Sequence, residues 1–126
     1  MNIDKLDNNI FLKKLFPNGI VSPMLIGRFN LDLSGYCDID IHVKQEPALN
    51  LKKYGNWGED FNVIVLKLKG KICGDILITN WSKNEFVDLE FEELNKGWIL
   101  KAQKNDFKFY TELDGLIFQE ISVYLI

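Results

Sequence analysis

His42 is the only histidine in the chain and the residue best suited to exchange a proton near neutral pH. It sits in the run Cys37-Asp38-Ile39-Asp40-Ile41-His42-Val43, whose apolar–polar alternation predicts a strand. A period of two puts Asp40 and His42 on one face but offset along it, which makes a poor catalytic dyad. No serine or cysteine stands in a nucleophile-elbow setting to complete the chemistry. His42 therefore reads as a solvated residue on the polar face of a strand.

Carboxylates recur at the same spacing of two. Asp38 and Asp40 form one row, and Asp88, Glu90 and Glu92 form another. Such rows could hold a cation or work as acid and base. They could equally be the wet face of a half-exposed sheet, or a charged stripe that steers a basic partner. Cys37 and Cys73 make no Cys-x-x-Cys pair, and one histidine cannot complete a zinc set with them. Both are expected to be reduced core or near-core thiols, and nothing supports a disulfide between them. Gly55-Asn56-Trp57-Gly58 has neither the glycine spacing nor the strand–helix setting of a phosphate loop. No catalytic residue, metal site or cofactor is expected, and a binding protein is favoured over an enzyme.

The 126 residues suffice for one domain, taken as 1–126, and the 47% apolar share supplies a core without disulfide or metal staples. No apolar run approaches the ~20 residues needed to cross a bilayer. The opening Met1-Asn2-Ile3-Asp4-Lys5 lacks a basic, then apolar, signal pattern, which predicts a cytoplasmic protein with no membrane partner. A net charge of −3 and a single arginine, Arg28, argue against nucleic acid as the ligand.

The elements that must position these residues are short. Ile3, Leu6, Ile10, Phe11 and Leu15 fall at helical spacing, so one N-terminal helix is expected over residues 4–16. Asp4 or Asp7 caps it, and Pro17-Asn18-Gly19 stops it. Residues 25–33 and 37–43, joined at Ser34-Gly35, read as a hairpin with Phe29, Leu31 and Leu33 on one face. Residues 44–60 form a long irregular segment in which Tyr54 and Trp57 are embedded. Further strands are expected at 62–69, 75–81, 86–93, 98–103, 107–112 and 116–125, separated by turn residues such as Gly70, Gly74 and Asp114-Gly115. The expected fold is α+β but mainly β. It would be an antiparallel curled sheet or two-layer β-sandwich of about eight strands with one short N-terminal helix. Its core would include Leu6, Ile10, Phe29, Leu31, Ile39, Ile41, Leu66, Leu68, Ile76, Ile78, Leu89, Phe91, Leu100, Phe109 and Ile121.

Over residues 47–124 the chain resembles the immunity protein 50 family of bacterial immunity proteins. Pro47, Trp57, Asn62-Val63, Leu66, Leu68, Trp81, Asn84, Asp88 and Tyr124 carry the resemblance. It implies an antidote of a polymorphic or contact-dependent toxin system, which binds a cognate toxin domain and neutralises it by forming a stoichiometric complex. Many such toxin domains are basic nucleases, which an acidic stripe would suit. The expected toxin-binding residues are Asp38, Asp40, Asp88, Glu90 and Glu92 for charge, with Tyr54 and Trp57 as aromatic anchors. The protein would be a monomer or weak dimer. The alternative is a small-ligand-binding β-domain, its pocket between the sheet and the N-terminal helix.

Overall fold

Period-two alternation builds the first hairpin as expected. In the computed structural model, which describes residues 1–21 and 23–126, β1 (Met24–Leu31) pairs with β2 (Tyr36–Val43). Cys37, Ile39, Ile41 and Val43 turn into the core, and Asp38, Asp40 and His42 turn outward. β1 does not alternate cleanly. A bulge between Ile26 and Arg28 inserts one residue, so Ile26 pairs with Ile41 and Phe29 with Ile39 on the inner face. Leu31, expected in the core, is exposed where the hairpin runs out into its turn, as is Leu33.

The remaining strands are β3 (Val63–Thr79), β4 (Glu90–Leu94), β5 (Gly97–Lys104) and β6 (Phe107–Tyr124), in the antiparallel order β1-β2-β3-β6-β5-β4. The mainly-β α+β class and the curled antiparallel sheet hold, but with six strands rather than about eight. The two missing divisions have one cause. Gly70, Gly74 and Asp114-Gly115 look like turns in sequence, yet they are bends inside strands of 17 and 18 residues. At the bend a side chain on Gly70 would press within 3.0 Å of the Gly115 carbonyl oxygen, and one on Gly74 would collide with Glu112. Register shifts between Gly70 and Ile76 let β3 bow there. The resulting curl sets Phe29 of β1 edge-on against Phe109 of β6 at 5.3 Å. It also bridges Met24 to Val87, so β1 meets the segment leading into β4, the strand at the other end of the sheet order.

The helix, α1, spans only Ile10–Leu15. Leu12 and Leu15 are its buried residues, whereas Ile10 is 73% exposed. Residues before Asn9 bury Ile3 and Leu6 without helical geometry, so the apparent helical spacing across residues 3–15 spanned two kinds of backbone. Lys13 and Lys14 lie in the last turn, and Gly19 takes a φ of +82° just beyond the stop. The long segment after β2 is packed down by its own side chains. Leu51 and Phe61 are buried, Ala48 donates its N–H to the Leu15 carbonyl, and Asp60 accepts the Asn56 N–H at 2.7 Å. Among the described residues no helix is long and apolar enough to cross a membrane.

Leu6, Ile39, Ile41, Leu66, Leu68, Leu89, Leu100 and Phe109 of the expected core are buried, while Phe29, Phe91 and Ile121 pack against it half-buried. Ile76 and Ile78 are the other exceptions. They face the interior side by register with Thr111 and Phe109 but remain exposed, because β3 has no neighbour beyond them.

Candidate functional site

Past its bend, β3 outruns β2. Tyr36 pairs with Lys71, the Ile72 N–H reaches the Gly35 carbonyl, and there the hairpin ends. Among the described residues, Ile72 and then Ile76, Leu77, Ile78 and Thr79 are paired to β6 on one side and to no strand on the other. The outer face beside that open edge is concave. Leu77, Tyr110, Lys101 and Glu90 stand in register across β3, β6, β5 and β4. They line a groove of about 910 Å³, with Asp75 and Asp88 at its ends.

The polar groups of the groove are mutually engaged. Tyr110 donates its hydroxyl to Glu112 at 2.7 Å, and the other Glu112 oxygen accepts the Asp75 N–H at 2.8 Å, which holds the bowed segment of β3 to β6. The Tyr110 bond and then the Asp75 bond hold the Glu112 carboxyl below its ordinary pKa, and the same bond to Glu112 raises that of Tyr110. The Lys101 ammonium lies 3.5 Å from Glu90 and 3.7 Å from Glu92. These pairs are solvated and contribute little stability; their effect is to offset the Lys101 charge within the groove. Leu77 stands over it 51% exposed.

The seven expected binding residues fall in three places. Asp88 and Glu90 line the groove, with Glu92 next along β4 and sharing Lys101. Asp38 and Asp40 lie on β2, separated from β4 in the sheet by β3, β6 and β5. There Asp40 stands between Arg28 and Lys67, Lys67 faces Glu120, and Asp38 faces Lys69. This is a ladder of alternating charge rather than an acidic stripe. Tyr54 and Trp57 form a third location, half-buried in the long loop, where Trp57 packs edge-on against Phe61 at 5.5 Å.

His42 is not the solvated residue its polar face implied. It is half-buried, its Nδ1 lies 2.7 Å from the Tyr124 hydroxyl, and its ring fills the space beside Gly27 where a side chain would otherwise stand. Burial pushes its pKa down, and the nearby Asp40 offsets part of that. Cys37 is buried as expected, its thiol pushed up to about 11 by desolvation, whereas Cys73 is exposed on β3 and not near-core.

The residues missed by sequence reasoning are Leu77, Tyr110 and the open edge itself. One signal was present: Ile76-Leu77-Ile78 breaks the apolar–polar alternation, so a strand there must turn at least one large apolar side chain outward. No protein family model, curated protein or solved structure shows significant similarity to this chain.

Proposed function

We propose that this chain is an immunity protein that binds a cognate bacterial toxin domain in the cytoplasm and neutralises it by forming a stoichiometric complex. The observation that carries the proposal is the groove. It places exposed Leu77 and half-buried Tyr110 beside Asp75, Asp88 and Glu90, with Lys101 and Lys108 also in its lining. Interfaces use that arrangement: apolar and aromatic residues supply affinity at the centre, and peripheral charge steers the encounter. The acids favour a basic partner such as a nuclease domain. Asp38, Asp40, Tyr54 and Trp57 stand apart from the groove, so Asp88, Glu90 and Glu92 are the acids retained in the proposed interface.

A co-expression experiment tests this. The C-terminal domain encoded by the neighbouring upstream gene should arrest growth alone and be tolerated when this chain is co-expressed. Arrest that persists despite soluble expression of the chain would refute the proposal. The groove volume also lies within the range of small-ligand sites, which keeps a ligand-binding β-domain as the second reading. Its pocket would then be on the outer face of the sheet, not beneath the helix, whose Leu12 and Leu15 are fully packed.

A further inference from the structure

Natural sheets guard their free edges with charges, prolines, bulges or very short strands, because an unpaired edge offers a row of N–H and C=O groups to any extended chain. The free stretch of β3 is guarded at one end only, where the bowed segment before Ile76 breaks the register. From there, Ile76, Leu77, Ile78 and Thr79 follow regular pairing with Thr111, Tyr110, Phe109 and Lys108. None of the four carries a charge or is a proline, and the three apolar ones are exposed. The stretch closes at Asn80, whose φ of +55° turns the chain away.

We infer that this edge is a strand-addition site, and that its occupant is an extended segment of the partner protein in which lysine or arginine alternates with apolar residues. The inference deepens the immunity proposal and rests on it for the identity of the partner. The alternation follows from the two faces of the edge. An added strand continues the pleat, so its side chains fall in turn beside Leu77 and beside Ile76 and Ile78. The Leu77 side opens on the groove, where Asp75, Asp88 and Glu90 have Lys101 and Lys108 as counter-charges. Lys101 is already shared between Glu90 and Glu92, leaving the groove a net excess of acid whose field attracts a basic side chain on the added strand. The other side continues the apolar margin formed by Ile76, Ile78 and Trp81, the last resting on Phe107. A second copy of this chain fits less well. Edge-to-edge pairing would bring a second set of the same acids towards the first, and like charges across an interface oppose association.

Hydrogen exchange with two synthetic peptides tests the inference on the intact chain. One peptide alternates lysine and valine over eight residues; the other has the same composition with its lysines and valines in separate blocks. The alternating peptide should slow exchange at every second amide of residues 76–79 by about tenfold or more and bind about tenfold tighter than the block isomer. The surface double variant Asp88→Lys with Glu90→Lys should weaken its binding at least about fivefold and reduce the salt dependence of what remains. Equal binding of the two isomers would reduce the effect to charge attraction and overturn the inference, as would absence of binding or protection confined to another strand. Protection of the same amides without peptide, together with a dimer in sedimentation, would assign the edge to a second copy instead. The two levels separate cleanly. A toxin domain that is neutralised regardless of an Ile78→Lys edge variant defeats strand addition alone. A toxin domain that never binds, beside a peptide that does, defeats the immunity proposal alone.

Discussion

The Nδ1 of His42 and the hydroxyl of Tyr124 meet at 2.7 Å across the outer face, joining β2 to the end of β6 over the intervening β3. The two rings pack edge to face, and Val63 and Val65 of β3 are buried on that otherwise wet face. The pair closes a small secondary apolar cluster opposite the main core. Tyr124→Phe keeps the ring and loses the bond, so it should cost about 1 kcal/mol in chemical denaturation.

His42 also predicts a pH dependence. Because burial lowers its pKa in the folded chain below the ordinary value of 6.5, the unfolded chain takes up the proton first as pH falls. Stability from this residue is therefore fully present above that value and is lost on acidification through it towards the folded pKa. His42→Gln should show a smaller loss than the parent between pH 7.5 and 5.5 in paired denaturation curves. Identical slopes would mean that His42 is solvated after all.

Two glycines make opposite predictions. A side chain at Gly97 would stand 2.2 Å from the Leu113 carbonyl oxygen, a backbone atom that cannot swing aside, whereas one at Gly115 would meet nothing within 4 Å. Gly97→Ala should therefore destabilise by about 1–3 kcal/mol or more through overpacking, while Gly115→Ala should fall within about 1 kcal/mol of the parent. Thermal melts of the two variants measured side by side decide it.

The hairpin and most core positions were legible in the sequence because period-two alternation maps directly onto a sheet with one buried face, as at Cys37, Ile39, Ile41 and Val43. The long strands were not. Gly70 and Gly74 have the composition of turns, and only the partner strand shows that they relieve close approach inside a bend, to the Gly115 carbonyl oxygen and the Glu112 side chain. The bulge at Gly27 was hidden for the same reason, and with it the change of face that puts both Ile26 and Phe29 inside. Half of the groove was visible as the acid row leading into and along β4. The other half depended on β3 outrunning β2, a relation between strand lengths that local pattern does not encode.

Packing and surface roles can be told apart by truncation. Leu66 is fully buried in the first half of β3, and Leu66→Ala should cost about 2–5 kcal/mol. Leu77→Ala should change stability by less than about 0.5 kcal/mol. As an anchor in the groove, Leu77 should instead cost about 1–2 kcal/mol or more of toxin binding when truncated, read by titration calorimetry.

The thiols should react at very different rates. Cys73 is exposed, while Cys37 is buried and held protonated by desolvation. Brief treatment with iodoacetamide at pH 8 should modify Cys73 and spare Cys37 in peptide mass maps, with Cys37 becoming reactive only on unfolding. Equal labelling of both in the folded chain would contradict the placement of Cys37 on the core face of β2.

Stoichiometry tests the central claim most directly. Increasing amounts of this chain should be added to a fixed amount of the purified toxin domain, at concentrations well above the dissociation constant, and the toxin's activity followed. Neutralisation by complex formation predicts a straight-line fall in activity that reaches zero at one equivalent, with a sharp break there. Full inactivation by a small fraction of an equivalent would indicate catalysis, and undiminished activity at excess would show that the toxin is not the partner; either result contradicts the proposed function.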